Sequence, residues 1–153
     1  MVSWCAMDYM ERREERKKAV KDQWQNLVRA LQDAVKSWND KHPGWSPWEC
    51  GMDRSDPEHR FWVATKPGWR LKPDAPPEHD ALGGHLLNCV LVESVATVDG
   101  ATVNVGEGGD PEDVRYRISV ADDGAYLHTG DRKKVSVEEA AFEILEPFLE
   151  KYK

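Results

Sequence analysis

The chain has 153 residues, with 21 basic and 28 acidic side chains, a formal charge of −7, 40% hydrophobic and 32% charged residues. The length suits one domain spanning 1–153, large enough to bury a core without disulfide or metal staples. The composition excludes a collagen-like chain and a coiled-coil rod. It also excludes a direct nucleic-acid binder, because a phosphate backbone needs a basic patch and Arg132-Lys133-Lys134 is too short to supply one.

Cys5, Cys50 and Cys89 are odd in number and widely scattered, so they read as reduced thiols rather than a disulfide framework. No apolar run approaches the roughly 20 residues of a membrane helix. The first ten residues have no basic start, and Asp8 interrupts them, unlike a signal peptide. A cytoplasmic protein is expected.

From Ser3 to Asn39 there is no Gly or Pro, and Val20, Trp24, Leu27, Val28, Leu31, Val35 and Trp38 recur at steps of three and four. That spacing predicts an amphipathic helix with one apolar stripe, stopped by His42-Pro43-Gly44. Such a helix is about 55 Å long at ~1.5 Å per residue. A compact body of this size is about 38 Å across, from a radius of gyration of about 15 Å. The helix therefore outruns its own domain, and residues 1–18 are a helical extension. Residues 11–18 are charged on every side, with Glu14 and Lys18 spaced to pair, and such runs are usually solvated. Ahead of them Trp4, Met7 and Met10 share a face. Three outcomes are open: a break near residues 11–18, a frayed start, or docking of the first turns on another chain, for which Trp and Met are suited.

Residues 42–84 hold seven of the nine prolines and four of the seven tryptophans: Trp45, Trp48, Trp62 and Trp69. Strands are expected at Arg60–Thr65 and Trp69–Lys72, the rest being a long ordered loop. The tryptophans suit either a lid over the core or an aromatic shelf for a peptide, sugar or base.

From His85 the apolar period becomes two. A strand is expected over Leu86–Val98, with Asp99-Gly100 as a two-residue hairpin turn setting Val98 opposite Ala101 and Ser94 opposite Val105. Val114–Ala121 forms the next strand, with Tyr116, Ile118 and Val120 on one face. Asp122-Asp123-Gly124 turns the chain into Ala125–Thr129. Ser136 and Glu139 form a capping box for a closing helix in which Pro147 marks a kink or an end. The predicted fold is α+β: a long N-terminal helix, an antiparallel meander of about 5–6 strands, and a C-terminal helix, both helices on one sheet face.

Charge is uneven. Residues 1–42 hold nine basic and seven acidic side chains; residues 43–153 hold twelve and twenty-one. Glu139, Glu143, Glu146 and Glu150 stripe the closing helix. Such acid serves solubility, or it meets a basic partner surface.

Chemistry-bearing motifs are sparse. His79, His85 and Cys89 lack zinc-ligand spacing, since on a strand the last two lie about 13 Å apart at ~3.3 Å per residue. The loop Asp110–Asp113 lacks the alternating oxygens of a calcium loop. Gly106-x-Gly108-Gly109 is too acidic for phosphate. His128, with Thr129 and Asp131 close by, is the best single catalytic candidate, but no Gly-x-Ser-x-Gly elbow accompanies it. No metal or cofactor is expected.

The expected function is a non-enzymatic acidic protein-interaction module, of inhibitor or immunity type. It would bind a basic surface through Glu139, Glu143, Glu146 and Glu150, or a partner, including a second copy, through Trp4, Met7 and Met10. The alternative is a small-ligand binder or hydrolase with a pocket formed by Trp45, Trp48, Trp62, Trp69 and His128.

Overall fold

The computed structural model describes residues 2–42, 48–54, 56–65, 89–107 and 111–151. Helix α1, Val2–Lys41, is continuous over 40 residues, about 60 Å at ~1.5 Å per residue. It does not break at residues 11–18. Its stripe forms as the spacing demands. Trp24, Leu27, Val28, Leu31 and Val35 are buried, and Val20 and Trp38 pack partly against them.

At its C-terminus the His42 amide donates to the Asn39 carbonyl at 3.2 Å. The His42 Nδ1 lies 2.9 Å from the Trp38 carbonyl oxygen, which can only accept, so Nδ1 carries the proton. Two of the carbonyls orphaned at the helix end are thereby satisfied. The Asn39 side chain then grips the next element: its Oδ1 accepts from the Trp48 amide at 2.9 Å, and its Nδ2 donates to the Trp48 carbonyl at 3.1 Å.

Among the described residues seven strands follow: β1 Trp48–Met52, β2 Arg60–Thr65, β3 Cys89–Ala96, β4 Gly100–Glu107, β5 Asp113–Ala121, β6 Gly124–His128 and β7 Lys134–Val135. They pair antiparallel in sequence order. Two of them, β1 and β7, go beyond the expected meander. Glu49-Cys50-Gly51 has no alternation to announce a strand, and β7 is only two residues long. The segment Trp69–Lys72 lies outside the described residues.

The β3–β4 register differs from the expected one by two residues. Ala96 pairs with Ala101 and Ser94 with Val103, and the turn centres on Val98-Asp99, closed by the Thr97 amide on the Gly100 carbonyl at 2.9 Å. The cause is Gly100. A Cβ there would sit 1.9 Å from the Ile118 carbonyl oxygen, so the glycine serves close approach to β5 rather than the turn. A shift of two preserves parity, so the same faces stay apolar. Val98 becomes the fully exposed hairpin tip.

Helix α2, Val137–Lys151, starts at Ser136, whose Oγ accepts from the Glu139 amide at 3.1 Å, the serine half of the expected capping box. The helix runs through Pro147 to Lys151. Pro147 is exposed, so water can serve the Glu143 carbonyl that loses its donor.

Both helices cover one face of the sheet. Leu27, Leu31, Phe61, Val92, Val103, Ile118, Leu127, Leu145 and Phe148 share that core. Trp62, Ala64, Cys89 and Leu91 form a second, smaller cluster on the opposite face.

Candidate functional site

The outer part of α1 is the first feature that the core does not use. Every residue from Met10 to Lys18 is exposed, Met10 at 65%. Glu14 pairs with Lys17 at 3.8 Å, both largely in solvent, a contact worth about 0.5 kcal/mol or less. The backbone of Trp4 and Met7 is helical; their side chains lie outside the described residues.

Because α1 overhangs the sheet, clefts open along its flanks. The larger, about 680 Å³, lies between α1 residues 12–24, the Glu58-His59 turn and the β3–β4 hairpin. Its helical wall carries Arg12, Arg13, Arg16, Lys17 and Lys21 toward the outer end, and Val20 and Trp24 toward the sheet. Its floor is fixed. The Trp24 indole N–H donates to the Glu58 carbonyl at 2.8 Å, and the Ser94 amide donates to the His59 carbonyl at 2.8 Å. On the other flank, Arg12, Glu15, Arg16 and Ala19 face Val120, Ala121, Asp122 and Gly124 across about 480 Å³. A third cleft, about 290 Å³, lies where α2 meets the far end of the sheet, lined by Glu107, Glu112, Asp113 and Arg115.

The acidic stripe of α2 divides. Glu139 is exposed and Glu146 half-exposed, while the Glu143 carboxylate accepts a hydrogen bond from the Tyr116 hydroxyl across the helix–sheet interface. Burial, and then that carboxylate, push the Tyr116 phenol above its ordinary value. The Glu150 side chain lies outside the described residues. Between the glutamates Phe142 stands 60% exposed.

The two described members of the Trp set, Trp48 and Trp62, lie on opposite faces of the sheet. Trp48 lies in the helix-covered core, edge-on to Trp38 at 5.3 Å and to Phe148 at 4.9 Å. Trp62 is on the opposite face, its ring against Gly51, where a Cβ would come within 3.3 Å. Trp45 and Trp69 lie outside the described residues.

His128 is buried and makes a contact that the motif search missed. Its Nδ1 is 2.8 Å from the Thr129 carbonyl oxygen and so carries a proton, and its Nε2 lies 2.6 Å from Ser119 Oγ. In the neutral ring, Nε2 accepts the Ser119 proton, which is nucleophile-to-base geometry. Asp131 accepts from the Thr129 hydroxyl at 2.5 Å rather than orienting the imidazole. The missing signal was register: Ser119 pairs with Tyr126 and Arg117 with His128, which sets Ser119 diagonal to His128 on one face. None of the three clefts takes in His128 or Trp62.

One charged cluster was also not foreseen. Arg60 Nε meets Glu93 at 2.5 Å and its guanidinium reaches the buried Asp53 at 3.4 Å. Cys50 and Cys89 are free thiols. Burial, with Asp53 adding to it, pushes Cys89 up to about 12, far from a reactive thiolate. Among the described residues no three His, Cys, Asp or Glu side chains gather as metal ligands, and no helix is long and apolar enough to cross a membrane. Compared with known protein families, curated proteins and solved structures, the chain matches none.

Proposed function

We propose that this chain is a non-enzymatic, cytoplasmic protein-interaction module, of inhibitor or immunity type, that docks through the overhanging end of α1 and the acidic outer face of α2. The observation that carries this reading is the run of exposed residues from Met10 to Lys18 on an unbroken helix. Most helices owe their stability to packing. Among the described residues this one shows no core contact ahead of Val20, and an element ordered before binding loses less conformational freedom when a partner arrives.

The test is quantitative affinity capture from lysate with three baits: the full chain, the chain lacking residues 1–18, and E139K/E146K. A specific protein captured by the full chain and lost with either altered bait supports the reading. Capture of nothing above background argues against it.

The Ser119–His128 contact at 2.6 Å favours a second reading, a small hydrolase with Ser119 as nucleophile and His128 as base. Labelling of Ser119 by a fluorophosphonate, abolished in H128A, is the result that reading requires; an unlabelled Ser119 removes it.

A further inference from the structure

Two surfaces of this chain mirror each other. The first is the larger cleft. At steps of four along one helix face, Arg12, Arg16, Val20 and Trp24 run from its mouth to its floor, grading from cationic to apolar. Arg13 and Lys21 add charge at the same wall, and the exposed Val98 stands on the opposite rim. The second is the outer face of α2. Phe142, 60% exposed, is flanked one turn before by Glu138 and Glu139 and one turn after by Glu146. Among the described residues Arg13, Arg16 and Lys21 form no ion pair, nor do Glu138, Glu139 and Glu146.

We propose that the cleft beneath residues 12–24 of α1 receives the outer face of α2 from a second copy of this chain. Phe142 enters the apolar end against Val20 and Trp24, and the glutamates around it meet Arg13, Arg16 and Lys21 at the mouth. An aromatic anchor in an apolar pocket with a charged rim is the usual anatomy of a specific contact. The cleft, about 680 Å³, falls within the ~300–1,000 Å³ that holds a drug-sized ligand, or a few side chains of one helix face. Charge complementarity selects the occupant, because the chain is basic in residues 1–42 and strongly acidic beyond them. Cleft and helix are different patches, so a two-fold pair makes the contact twice.

This inference rests on the interaction-module reading and names a partner for it. Its test is sedimentation velocity of the full chain at low and high salt, over a wide concentration range. A dimer that weakens with salt is expected. R16E/K21E and E138R/E146R alter exposed or half-exposed positions, and unchanged circular dichroism confirms their folding. Each alone should weaken self-association by roughly tenfold or more in Kd. Mixed one to one they should pair again, because reversed cleft then meets reversed helix while the two native surfaces meet each other. F142A should weaken the pair without changing charge. A monomer at every concentration overturns the proposal, as does a dimer indifferent to both variants or a mixture that stays monomeric. The capture experiment with the chain lacking residues 1–18 remains the separate test of docking on other proteins.

Discussion

The two halves of α1 share one helix and obey different rules. From Val20 to Trp38 the apolar stripe packs into the core, with Leu27 and Leu31 fully buried. From Met10 to Lys18 nothing is buried, yet the helix does not break. Glu, Arg and Lys are good helix formers, and adding turns to a helix already nucleated by packing avoids the nucleation cost. Continuity of the helix and burial of its face therefore have separate causes. The inner half holds the fold together; the outer half carries chemistry away from it.

The largest expected effect is in the inner half. Leu31→Ala empties a fully buried site and should cost about 2–5 kcal/mol, read as a lowered urea midpoint at unchanged slope. Next is the hairpin that walls the cleft. Gly100→Ala must push β4 from β5 to relieve a 1.9 Å clash with backbone, at about 1–3 kcal/mol. A loss of a few tenths would mean that the strands part easily there.

The buried side should also respond to alkali. The folded Cys89 thiol titrates at about 12 against an ordinary 9.0, and Tyr116 is raised as well. Their protonated forms favour the folded state, so stability should be full below about pH 9 and fall as pH rises toward about 12. Cys89→Ala should flatten part of that slope in thermal melts. The smallest effect belongs to the outer half: Glu15→Ala or Arg13→Ala should shift stability by less than about 0.5 kcal/mol. A cost above 1 kcal/mol would erase the distinction between the halves.

Legibility in the sequence followed the same division. Period located the inner stripe and the apolar faces of β3 and β4, the Ser-x-x-Glu spacing located the Ser136 cap, and β2 lies at its expected bounds. What needed a partner was hidden. β1 is a strand because β2 and Asn39 take its backbone bonds, not because of its side chains. The β3–β4 turn was misplaced because a glycine in the sequence does not say whether it serves a turn or a close approach. Ser119 joins His128 only once register is known. The cations of residues 12–21 were visible as charge, but the cleft that they line depends on where the hairpin tip comes to rest beneath the helix.

The grip of Asn39 on Trp48 has a consequence for colloidal behaviour. Among the described strands β1 is outermost, and its first amide and carbonyl are already engaged by one carboxamide. At the other margin β7 offers only two residues, one of them a lysine. Both margins are thus poor templates for strand addition. Asn39→Ala would unlock the first of them, and fibrillar growth on prolonged warming is where that loss should surface.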